Sequence, residues 1–231
     1  MKTKVLALIA MSLAIAGCGG GSSDEEASKN VTYLQDGIYL NDTDLTVMFI
    51  DTEQVNGALI VGDFANNSVY FTHTSTIEGD TLKSKGVTHA FNGGLTVYSD
   101  LEVLTTFTEQ GADLSAVINN QNLIYSFDKV PSNGELSTLV GTHTNPNDGS
   151  TWSINNDGSF VINGICTLSG TMHKVKFYYV AKNVQAVNCA DSSFNASDYE
   201  ARVVSVEQAG NTYILGLLAG NNGIIWGYVP L

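Results

Sequence analysis

The chain has 231 residues, 23 acidic and 10 basic, for a formal charge of −13. Its 43% hydrophobic content supports a real core and excludes a disordered chain. The few basic residues are scattered and include one arginine, Arg202, so no nucleic-acid partner is expected, because phosphate neutralisation needs clustered cations.

The first segment belongs to targeting rather than to the fold. Lys2 and Lys4 precede the apolar run Val5–Ala16, which is broken only by Ser12. That run is shorter than the roughly 18 residues a spanning helix needs and reads as the apolar part of a signal peptide. The sequence Ile15-Ala16-Gly17-Cys18 follows, and it resembles the lipobox of bacterial lipoproteins. The resemblance covers the processing segment alone. It implies a signal peptide over residues 1–17, cleavage before Cys18, and acylation of Cys18 (palmitate among the acyl chains), which gives a stable membrane anchor. Losing Lys2 and Lys4 makes the mature charge two units more negative. Residues 18–30 then form the lipidated cysteine and a tether, with Gly19–Ser23 flexible and Asp24–Glu26 acidic. Gly19 is not the aspartate that resembles an inner-membrane retention signal. The resemblance therefore points to the outer membrane, with its periplasmic or surface face left open.

Beyond residue 30 no helical period persists, and short alternating runs broken by Gly, Asn and Asp predict an all-β fold. Ser68–Thr74 alternates, with Val69, Phe71 and His73 on one face. Pro131–Gly134 leads into a helical turn expected at Glu135–Val140. Asp157-Gly158 suits a type I′ hairpin turn. Val175, Phe177, Tyr179 and Ala181 are expected along one side of a single strand, with Lys176 and Lys182 on the other. The turns at Gln208–Asn211 and Gly220–Gly223 make the last three strands a meander.

The chain also carries a weak internal duplication. Asp80–His89 parallels Cys166–His173, and Glu109–Gly111 parallels Glu207–Gly210. Asn119–Phe127 parallels Asn221–Tyr228, and Val130-Pro131 parallels Val229-Pro230. The expectation is two related small antiparallel β-sandwich or barrel halves, residues 31–131 and 136–231. Whether these are separate domains or one joint body is open at this level.

Cys166 and Cys189 remain after lipidation of Cys18, an even pair for an oxidising compartment. A hairpin between them would allow a disulfide that stabilises the second half by roughly 3 kcal/mol. Catalytic motifs are missing, and no enzymatic activity and no cofactor are expected. His73, His89, His143 and His173 are too dispersed for a metal site, and His89 and His173 fall at equivalent positions of the duplication. Asn145–Gly149 lacks the ligand spacing of a calcium loop and reads as a polar turn. Asp42 with Asp44, Asp51 with Glu53, and Glu78 with Asp80 are the acid pairs available for general acid–base work, and on so acidic a surface they read as solvated loop residues instead.

Aromatic residues gather in the second half. Trp226, Tyr228 and Tyr178 are the candidate binding residues, as an aromatic platform for a glycan or an envelope or extracellular protein, against the plainer reading of core packing. The expected function is a non-enzymatic binding module held at the outer membrane by lipid. A protective inhibitor of a cationic enzyme or toxin is one alternative, and an acid-pair hydrolase is another.

Overall fold

The computed structural model describes residues 35–41, 43–92, 94–118, 120–131 and 134–231. The lipidation site Cys18, and Asp42 of the first acid pair, lie outside the described residues. The fold is all-β, built as two barrel-like antiparallel sheets.

The first half holds β1 (Gly37–Asn41), β2 (Thr46–Ile50), β3 (Leu59–Asp63), β4 (Ser68–Glu78), β5 (Thr81–Phe91), β6 (Gly94–Phe107), β7 (Gly111–Ile118) and β8 (Gln121–Val130). Each strand pairs with the next, and β1 pairs with both β2 and β8, which closes the barrel. A 3₁₀ turn at Leu136–Thr138 follows, within the helical turn expected from sequence.

The second half holds β9 (Gly141–Thr144), β10 (Thr151–Ile154), β11 (Ser159–Asn163), β12 (Thr167–Thr171), β13 (His173–Val175), β14 (Tyr178–Val187), β15 (Ala196–Gln208), β16 (Asn211–Gly220) and β17 (Gly223–Pro230). Its strands follow the same meander order, with β13 folded beside β14. No ladder joins β9 to β17. A polar stitch sits there instead. Buried Asn145 donates its side-chain amide to the Tyr228 carbonyl at 3.1 Å, and Asn147 donates to the Tyr228 hydroxyl at 3.1 Å.

Three apolar clusters explain the sequence pattern. Tyr39, Met48, Ile50, Leu59, Leu82, Val103, Phe107 and Phe127 fill the first barrel. Trp152, Phe160, Leu168, Tyr179, Tyr199, Ile214 and Ile225 fill the second. The third cluster lies between them, where Ile38, Leu40, Val47, Phe49, Ile60 and Val69 meet Tyr178, Val180, Val204, Val206 and Leu215. Strands β1, β2 and β14 therefore bury alternate residues in two different cores. Their near-continuous apolar runs, such as Thr46–Ile50, follow from burial on both faces. The alternation read at Ser68–Thr74 is present, and it turns Val69 and Phe71 toward this seam.

Two local expectations are corrected. The strand expected through Val175–Ala181 is instead a tight hairpin. Val175 pairs with Tyr178, and Lys176 and Phe177 form the turn. Lys176 adopts a left-handed φ of 52°, so the apparent alternation across it is accidental. The Asp157-Gly158 turn is not type I′, which needs positive φ at both central residues. Only Gly158 is left-handed, at φ 82°, and its N–H donates to the Asn155 carbonyl at 3.0 Å. The Asp157 carboxylate accepts from the Ser159 N–H and hydroxyl and fixes the turn locally.

The duplication survives with one misalignment. The Glu109 and Glu207 segments both form the turn between the sixth and seventh meander strands. The Asn120 and Asn222 segments both lie between the seventh and eighth. The match of Asp80–His89 with Cys166–His173 is out of step by one strand, since it sets fifth strand β5 against fourth strand β12. His89 and His173 are therefore not equivalent positions.

Candidate functional site

The residues singled out in the sequence fall into two places, and the structure adds a third.

The first place is the seam between the halves, which takes all three aromatic candidates. Tyr178 is buried there, edge-on to Phe49 at 4.7 Å between ring centroids. Trp226 packs against the seam cluster and donates its indole N–H to Asn67 Oδ1 across the halves at 2.9 Å. Tyr228 meets Phe64 at 5.9 Å and Tyr213 at 6.1 Å. All three rings are thus in contact with the seam, and Trp226 and Tyr228 are only partly covered.

A polar network closes one end of the same seam. Asp51 is 1% exposed and belongs to the first half, and its carboxylate is bonded from both halves. Lys176 Nζ donates to Asp51 Oδ1 at 2.8 Å, and the Tyr178 hydroxyl donates to Asp51 Oδ2 at 2.8 Å. Gln54 Nε2 adds a bond at 3.0 Å and the Glu53 N–H one at 3.2 Å. Lys176 also meets Glu53 at 3.0 Å and Asp36 at 3.3 Å. Arg202 stacks over Phe49 at 5.6 Å and donates to the Gly57 carbonyl and to Gln54 Oε1.

Burial alone pushes the Asp51 carboxyl up. The bonds from Lys176, Tyr178, Gln54 and Glu53 outweigh it and hold the group below the usual carboxylate range. Burial, then the bond to Asp51, pushes the Tyr178 phenol up to about 12. Burial disfavours the Lys176 cation, yet its bonds to Asp51, Glu53 and Asp36 raise it above an ordinary lysine. A carboxylate with both oxygens engaged and its proton disfavoured is poorly suited to general acid work. The pair Asp51 and Glu53 therefore shares one lysine. Of the last acid pair, Glu78 bonds Lys83 on the surface.

The second place holds the cysteines. Thr167 pairs with Val187 where β12 meets β14, and this brings the sulfurs of Cys166 and Cys189 to 2.00 Å, at disulfide distance. The four histidines stay apart on β4, β5, β9 and β13, and among the described residues no cluster of metal-ligating side chains forms. Asn145–Gly149 is a turn in which Asn145 and Asp148 accept from the N–H groups of Asn147 and Ser150.

The third place is an open flank of the first barrel, which sequence reading missed. Strand β6 pairs with β5 over Gly94–Tyr98 and Glu102–Thr106 but joins β7 only from Val103 onward. The stretch Gly94–Glu102 therefore leaves the β7–β8 hairpin, and the wall forks there. A cleft of about 530 Å³ lies in the fork, lined by Leu101, Glu102, Leu104, Val117, Leu123 and Ile124, among others. Leu104, Ser115 and Ile124 stand side by side across three strands with Val117 diagonal to Ile124, so their outward side chains share one surface. Ile124 is 69% exposed, Val117 59% and Val97 55%, and Leu95, Tyr98, Leu104 and Leu123 are also open to solvent. Large apolar side chains thus gather on this flank instead of standing singly. One signal was available: Val117 is of opposite parity to Leu114 and Ala116 on β7, and Ile124 to Phe127 on β8, where an outward face should be polar.

The chain matches no protein-family model, and neither a curated protein nor a solved structure matches it.

Proposed function

We propose that this protein is a non-enzymatic binding module of the cell envelope. It is held at the outer membrane through lipid on Cys18 and presents the forked flank of its first barrel to a protein partner. The observation that carries the reading is the run of exposed apolar side chains around the β6–β7 fork, on a chain whose other large apolar residues mostly lie in three cores. The aromatic candidates Trp226, Tyr228 and Tyr178 support the seam instead, since their rings are already engaged between the halves. Placing the contact on the first barrel also uses the tether, which gives the module reach from the bilayer. The reading of an inhibitor directed at a cationic enzyme draws on the acidic balance of the chain and is a narrower version of the same role.

Capture of envelope and culture-medium proteins tests this, comparing the wild-type chain with Val117→Asp/Ile124→Asp. Both positions are exposed, so the variant is expected to keep its melting temperature and lose the captured species. Equal capture by both chains, or none by the wild type, would remove the flank as the binding surface.

A further inference from the structure

We infer that the forked edge of β6 receives an extended segment of a partner protein as an added β-strand, and that this segment is apolar on alternate positions and positively charged. The inference rests on the binding reading above and specifies its mode.

Three observations meet at this edge. First, Gly94–Tyr98 is a stretch of β6 whose residues have ladder partners on β5 and none on β7. An antiparallel strand so placed presents a row of backbone N–H and C=O groups to any chain that lies beside it. At about 3.3 Å per residue the edge is roughly 17 Å long, enough for a segment of about five residues. Second, a β-irregularity falls between the pairs Lys85↔Glu102 and Val87↔Tyr98. Bulges of this kind recur where a strand is re-aimed. The cleft begins at this irregularity, between Asp100–Glu102 and the β7–β8 hairpin. Third, the cleft supplies both elements of specificity. Leu101, Val117, Leu123 and Ile124 offer apolar contact at strand spacing, and Asp100 and Glu102 offer carboxylates. Asp100 has a loose pair with Lys85 at 3.6 Å, and among the described residues Glu102 has no ion pair. Main-chain bonds then supply affinity, and alternate side chains supply selection.

Charge selects the occupant. A second copy would bring the same two carboxylates against themselves, on a chain that is already at −13. A lysine- or arginine-bearing segment would meet them favourably.

The test selects random dodecapeptides on the full-length protein in detergent. Enriched peptides are remade with alternate backbone amides N-methylated, which keeps the side chains and removes the donors. The expected peptides alternate apolar and basic residues and slow amide exchange within Gly94–Tyr98. They are expected to weaken about ten-fold on N-methylation and several-fold on Glu102→Lys. Peptides that protect the cleft but bind equally when N-methylated would overturn strand addition and leave the flank as a side-chain surface. Peptides that protect another face, an empty selection, or a dimer sedimenting through this edge would overturn the inference outright.

Discussion

Asp51 is the residue on which both halves converge, and its titration sets the acid limit of the seam. Its carboxyl is held below its ordinary value, so its contribution is fully present above about pH 4 and is lost as pH falls further. Lys176 and Tyr178 are raised, so their contributions are complete below about pH 10 and fade as pH rises past it. Thermal melting from pH 2 to 8 is expected to show a fall in stability below pH 4 that Asp51→Asn largely removes. An unchanged acid limb in that variant would dissociate Asp51 from the effect. Asp51→Ala is expected to cost about 1–3 kcal/mol, because it leaves the buried Tyr178 hydroxyl without its acceptor. Trp226→Ala is expected to cost about 2 kcal/mol, short of the roughly 3–5 of a fully buried tryptophan, because the ring is only partly covered. Binding by the remaining folded protein is expected to be normal. A loss of binding with unchanged melting would return the contact to the aromatic platform.

At the scale of the element, the alternation at Ser68–Thr74 was legible, and it sends Val69 and Phe71 to the seam and Tyr70 to the first barrel. The turn at Ala209-Gly210 is left-handed at both residues, as a two-residue hairpin requires. The seam was not legible, because burial on two faces erases alternation and leaves a plain apolar run at Thr46–Ile50. The hairpin at Lys176–Phe177 was hidden for another reason. Lysine has no intrinsic preference for the left-handed region, and the three carboxylates that pair with its Nζ are distant in sequence. The cysteine pair was accessible from hairpin reasoning, since β12 and β14 are neighbours in the sheet. Replacing both cysteines by alanine is expected to cost about 2–4 kcal/mol. Non-reducing peptide mapping of the mature protein is expected to find them linked, and free thiols at both positions would contradict the pairing.

At the scale of the molecule, Thr32–Leu231 forms one unit with a shared apolar layer between two barrels. Burial of Phe49, Ile60 and Leu215 in that layer couples the barrels, so a single unfolding transition is expected by calorimetry. Removal of the seam by Leu215→Asp is expected to split it into two. This division of labour frees the far side of the first barrel: one flank holds the second half, and the β6–β8 flank is left open. Photo-crosslinking in intact cells tests that assignment most directly, with a benzophenone amino acid at Ile124 and a control at exposed Lys182 of the second half. The account expects a discrete adduct from position 124 and none from position 182. No adduct at position 124, or the same adduct from both positions, would contradict it.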